Sequence, residues 1–323
     1  MTVKASEAQS KNRIDLHQHL VPPFWAESLP DHGGDPSGWS SPEWSPDMAI
    51  SYMDAAGIAK GVLSLTAPSV VGWEGEERRA MARRVNDYAT TLVKQRPDRF
   101  GNFATLPLPD VEGSVIEAKR ALDELGADGV VVMSNYGGKY LGEEDYAPLW
   151  KVINERSATV FIHPGAPAID LLPGIPGPAI DYPFDTTRTA VHMVLNKVLE
   201  RYNKAKFILS HAGGFVPYAA SRFAVVLGGL YPDEFNEESV LEQLKGFYYD
   251  IALSSTEVPV VALTSFARQG HIVFGSDFPY APEPIAISFA QRFDAITKLT
   301  DEQHSAINHG NARALVKDTS GKL

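Results

Sequence analysis

The 323-residue sequence contains no cysteine, which excludes disulfides, thiolate nucleophiles and thiolate-ligated zinc sites. Positive charge is also scarce. Lys and Arg number 29 against 40 Asp and Glu, a net charge of −11, whereas nucleic acid demands a basic footprint. An anionic small molecule is repelled at long range by such a chain, so one that binds needs a local cation, either a metal ion or an arginine. No apolar run approaches the length of a membrane span. Residues 1–11 (MTVKASEAQSK) lack the apolar core of a signal peptide and read as a polar leader before a domain covering 12–323. A cytoplasmic location fits these absences. Neither G-x-G-x-x-G nor G-x-x-x-x-G-K-[ST] occurs, which removes the common phosphate-cradling loops.

What is present is a repeating pattern. Apolar runs at 13–20, 61–65, 100–106, 129–133, 161–163, 209–211, 247–253 and 274–277 alternate with helical periodicity. The helices are expected at 47–56, 76–95, 115–125, 146–155, 186–202, from 217 onward, 259–268, 284–298 and 302–316. The strands are continuous apolar runs rather than alternating ones, as parallel strands buried on both faces require. Eight such units predict a (β/α)8 barrel. Two excursions rich in Pro and Gly interrupt the pattern, at 21–46 and 165–183. The first carries Phe24, Trp25, Trp39 and Trp44, which serve either as a lid or as packing onto the barrel.

The ends of four strands carry chemistry. In Arg13-Ile-Asp-Leu-His-Gln-His-Leu20, residues two apart share a face, so His17 and His19 project together with Asp15 behind them. Two imidazoles aimed at one point make half of a metal site. Further runs end in His163-Pro164, in His211-Ala-Gly-Gly214 and in Ser276-Asp277-Phe-Pro279. A barrel gathers the C-terminal ends of its strands at one face, where such residues meet. Three His and one Asp suit a single divalent ion: zinc by donor set, manganese as the alternative. Asp15 is either an orienting partner of a ligand or a strand-opening residue, and Asp185 and Arg188 brace the site or pair together. His32, His192, His271, His304 and His309 lack strand-end context and are expected to be structural.

These motifs resemble the amidohydrolase superfamily from about residue 13 to 315, and most of all its nonoxidative decarboxylases typified by α-amino-β-carboxymuconate-ε-semialdehyde decarboxylase. The stretches Trp44-Ser-Pro-Asp47, Leu106-Pro-Leu-Pro-Asp110 and Phe184-Asp-Thr-Thr-Arg188 look closest to the 6-methylsalicylate decarboxylase-like group. The resemblance implies that His17, His19, His163 and Asp277 bind one metal and that His211 stands beside it as acid/base. It also implies a homodimer, or a dimer of dimers, in which Arg222 reaches a substrate carboxylate in the neighbouring subunit. Binuclear relatives carry a carboxylated Lys at the end of strand four; here that strand runs into Ser134-Asn135, so one metal is expected.

The expected reaction is loss of CO2 from an ortho-hydroxybenzoate, with Asp277 as proton donor or shuttle to the ring carbon and His211 either activating metal-bound water or holding the phenolate. A hydrolase on the same barrel, attacking a lactone or a C–C bond, is the rival within the fold. A metal-bearing protein without catalysis is the rival outside it, and would require a site closed to solvent.

Overall fold

The computed structural model describes residues 12–37 and 40–317; the leader 1–11 and Trp39 lie outside the described residues. Eight parallel strands form one sheet in chain order: β1 (Arg13–Leu20), β2 (Ile58–Leu65), β3 (Phe100–Thr105), β4 (Gly129–Met133), β5 (Thr159–His163), β6 (Lys206–Leu209), β7 (Tyr248–Asp250) and β8 (Ile272–Val273). The sheet curls until its edges meet. Leu16 N–H donates to Phe274 O (3.0 Å), Asp277 N–H to His17 O (2.8 Å) and His19 N–H to Phe278 O (2.8 Å). The (β/α)8 barrel expected from the sequence is therefore the fold.

Each strand is followed by a covering helix: α1 (Pro46–Ala56), α2 (Gly75–Gln95), α3 (Val111–Lys119), α4 (Ala147–Glu155), α5 (Gly177–Leu195), α6 (Val216–Leu230), α7 (Glu257–Phe266) and α8 (Glu283–Asp294). Local chemistry sets their limits. The Ser45 side chain caps α1 by accepting from Met48 N–H, Pro46 opens the first turn, and Gly57 ends the helix at φ +68°. Asp110 caps α3 in the same way, accepting from Gly113 N–H, so α3 begins four residues before the expected 115.

The largest departure concerns 165–183, expected as an irregular excursion up to residue 183. Helix α5 starts at Gly177, nine residues before the expected 186. Pro178 falls in its first turn, where a missing N–H costs nothing. Pro183 lies inside the helix, and its carbonyl is held by Thr187 Oγ1 (2.9 Å), which in turn accepts from Phe215 N–H (2.8 Å). That chain of bonds ties α5 to the loop after β6. The apolar runs of strands seven and eight are longer than their ladders, which end at Asp250 and at Val273, the latter four residues before Asp277. The helix expected at 302–316 likewise divides into Asp301–Ser305 and two tighter or looser turns.

The β6–α6 loop is His211-Ala212-Gly213-Gly214, with all four residues at positive φ. A Cβ at Gly214 would stand 1.9 Å from Pro183 O, and one at Gly213 2.5 Å from the Tyr249 ring. Gly214→Ala is therefore expected to destabilise the protein by about 1–3 kcal/mol. Urea unfolding checks this, and an unchanged midpoint would contradict it.

Candidate metal centre and cavity

The structure brings His17, His19, His163 and Asp277 together at the C-terminal face of the barrel. Their nearest ligand atoms all lie within 4.8 Å of one another, and all four residues are buried. Ring centroids are 5.0 Å apart for His17–His19, 5.3 Å for His17–His163 and 4.9 Å for His19–His163.

Each imidazole has its Nδ1 committed outside the cluster. His17 Nδ1 meets Asp250 Oδ2 at 2.8 Å, His19 Nδ1 meets Ser64 O at 3.1 Å, and His163 Nδ1 meets Pro164 O at 2.9 Å. An acceptor at Nδ1 fixes the proton there and leaves the Nε2 lone pair aimed inward. His17 Nε2 is buried without a hydrogen-bond partner. A buried, unsatisfied nitrogen is costly unless something binds it. Three inward lone pairs beside one carboxylate are a donor set for a divalent cation.

The electrostatics of the metal-free site agree. Burial opposes the charge on Asp277, yet the charge of the neighbouring His17, with close contacts to His17, His19 and His211, holds its carboxyl well below the usual range. Burial pushes His163 well below the ordinary histidine value and lowers His19, so both tend to the neutral form that binds metal. His17 also resists burial, but the Asp250 and Asp277 carboxylates carry it up to about 10. A cation in the centre would take over the place of that proton.

His211 stands on the other side of Asp277, its Nε2 3.3 Å from Oδ2. His211 and Asp277 have backbone φ of +53° and +64°. Left-handed backbone at non-glycine residues costs of order 1–3 kcal/mol and collects at working sites. Asp250 escaped the sequence reading although it obeys the same rule, a carboxylate closing an apolar strand. It is fully buried, holds His17 through Oδ2, and accepts from the N–H groups of His211 and Ala252 through Oδ1 (both 2.9 Å). Asp15 does not touch a ligand ring. It accepts from His17 N–H (3.1 Å), Ser276 N–H (3.1 Å) and Ser276 Oγ (2.5 Å), joining β1 to the segment that presents Asp277.

A cavity of about 480 Å³ opens onto His163, His211 and Asp277. Pro178, Ala179, Pro183, Leu253 and Ile285 give it apolar walls, while Tyr182, Tyr280, Asp35 and Ser37 add polar ones. Trp25 and Trp44 of the 21–46 loop are buried against the body, so the loop's contribution to the cavity among the described residues is Asp35 and Ser37.

Arg222 is elsewhere. It is exposed on α6, in a surface groove with Phe184, Phe215 and Tyr218. Asp185 and Arg188 do not pair: Asp185 accepts from Ser134, Asn135 and Tyr140, and Arg188 lies over the rings of Tyr140 and Phe184. Of the remaining histidines, His32 stacks on Trp73 and His271 on Tyr248, His192 accepts from Gly142 N–H, and His304 and His309 make local bonds.

The profile of the amidohydrolase family matches residues 14–317. The chain belongs to the amidohydrolase family. Among its relatives in this family, the 6-methylsalicylic acid decarboxylase of Penicillium expansum is 36% identical, over 96% of this chain and 98% of its own. A Penicillium terrestre protein named decarboxylase macB is 41% identical over 84% of this chain and 85% of its own. A crystal structure of an amidohydrolase II protein superposes with a TM-score of 0.88 at 32% identity, covering 94% of this chain and 99% of that one.

Proposed function

We propose that this chain is a metal-dependent carboxy-lyase that removes CO2 from an ortho-hydroxybenzoate-type acid such as 6-methylsalicylate. The observation that carries the reading is the trio of imidazoles with Nδ1 tied off and Nε2 facing Asp277, at the edge of an aromatic-sized cavity. The named activities of the relatives support it. In this reading His17, His19, His163 and Asp277 hold one divalent ion, zinc by donor set and manganese as the alternative. The bound ion supplies Lewis acidity toward the carboxylate and the ortho hydroxyl.

The chain's own residues handle the proton. The electrons of the breaking C–C bond need a sink, and a proton added at the carboxylate-bearing ring carbon provides it. Loss of CO2 then restores the aromatic ring. In this reading His211 Nε2, 3.3 Å from Asp277 Oδ2, gives up the proton to that carboxylate, and Asp277 passes it to the ring. Apolar walls hold the ring in place and limit water. A site of this openness argues against a metal protein without catalysis.

Assembly follows the same reading. Phe184, Phe215, Tyr218, Val225, Val226 and Leu230 are exposed around Arg222, a surface suited to a homodimer that brings Arg222 toward a neighbouring cavity. We read 12–323 as one barrel domain, since all eight strands share one sheet, and the location as cytoplasmic. No helix among the described residues is long and apolar enough to cross a membrane.

The test is a mass balance. Metal-replete protein supplied with 6-methylsalicylate and a panel of hydroxybenzoates is expected to give CO2 and the matching phenol in equal amounts. No CO2 from any acid would favour the hydrolase reading and direct the search to lactones. His211→Asn is expected to lower kcat by about 10²–10⁴-fold while metal content stays at the wild-type level. Undiminished turnover would remove His211 from proton transfer.

A further inference from the structure

The two ends of the electrostatic landscape in the cavity differ. One is the metal centre, where an anion is welcome. The other is Asp35, contributed by the loop after β1 and not part of the ligand cluster. Asp35 is half-buried, and its Oδ1 accepts from Ser37 N–H at 2.8 Å, which fixes the carboxylate relative to the loop backbone. Its charge reaches the aromatic walls: after burial itself, the Asp35 carboxylate is the largest influence raising the phenols of Tyr182 and Tyr280. Among the described residues, no Lys or Arg lines the cavity. A substrate can thus place one carboxylate at the ion, but among the described residues of this chain any second anionic group on the ring finds no cation in the cavity wall and a fixed carboxylate instead. At short range and reduced dielectric, such a like-charge approach is strongly disfavoured.

We infer that Asp35 is a specificity-determining residue that restricts the cavity to aromatic acids carrying a single carboxylate and turns away ring dicarboxylates. The inference rests on the decarboxylase reading and narrows its substrate class. A neutral ring hydroxyl is compatible with the same residue, because a carboxylate oxygen has more than one lone pair with which to accept a hydrogen bond.

The experiment compares 6-methylsalicylate with 4-hydroxyisophthalate, which keeps the ortho hydroxyl and adds a second carboxylate. It uses metal-replete wild type, Asp35→Asn and Asp35→Ser at pH 8 and low salt, and reads the ratio of kcat/KM for diacid to monoacid. The ratio is expected to rise at least about tenfold in both variants. A ratio within twofold of wild type in both, or a wild type that takes the diacid as readily as the monoacid, would overturn the inference. A variant that is merely damaged lowers both rates and leaves the ratio alone. If the wild type releases no CO2 from any acid, the decarboxylase reading fails separately. Calorimetric binding of the same two acids to the metal-loaded protein then tests Asp35, with the same tenfold shift expected in the ratio of Kd values and an unchanged ratio overturning it.

Discussion

His163→Ala is expected to empty the metal site and reduce CO2 release by roughly 10³-fold or more, while the protein remains folded. Losing one of three imidazoles opens the donor set, and the Lewis acidity at stake is several kcal/mol, with each 1.36 kcal/mol worth a factor of ten. His163 is the cleanest ligand to remove. Its Nδ1 bonds only to the carbonyl of the next residue, so its loss strands no buried carboxylate. His17→Ala should be equally inactive but less stable, because it leaves Asp250 Oδ2 and Asp277 Oδ1 facing a void without their imidazole. Metal analysis with steady-state kinetics checks both. Wild-type metal content together with wild-type turnover in His163→Ala would contradict the ligand assignment.

The second large effect concerns a residue that never touches the ion. Asp250→Asn is expected to weaken metal binding by about 10–100-fold, the usual consequence of removing the partner that orients a ligating histidine. The carboxylate fixes the His17 tautomer through Oδ2 and anchors the His211 and Ala252 N–H groups through Oδ1. An amide keeps the shape but halves the acceptor capacity and removes the charge. Competition against a fluorescent chelator gives Kd directly, and saturating metal should restore much of the activity. A Kd within twofold of wild type would show that Asp250 merely fills space.

The barrel and its ligand set were legible because both are written in local patterns. His17 and His19 sit two apart on a strand, and His163, His211 and Asp277 each close an apolar run, so topology alone delivers them to one face. Asp250 closes such a run too, but within Tyr-Tyr-Asp-Ile-Ala it looks like the middle of a strand. Only the departure of the backbone from the ladder after Asp250 makes it a strand end. Prolines signal loops and so hide the start of α5, yet Pro178 sits in a first turn and Pro183 is accommodated inside the helix. Tyr182 and Asp35 come from the two irregular excursions, and nothing in their spacing announces that the excursions meet over the same cavity. Arg222 is on the exposed face of α6, so its proposed contact with substrate depends on a second subunit, which sequence spacing cannot position.

The central claim is that one divalent ion, held by His17, His19, His163 and Asp277, makes this barrel a decarboxylase. Metal-free protein titrated with Mn²⁺ or Zn²⁺ in the presence of 6-methylsalicylate, with CO2 followed by mass spectrometry, tests it most directly. The account predicts no CO2 without metal, a linear rise, and a sharp break at one equivalent per chain. CO2 release from the metal-free protein, or a break at two equivalents, would contradict it.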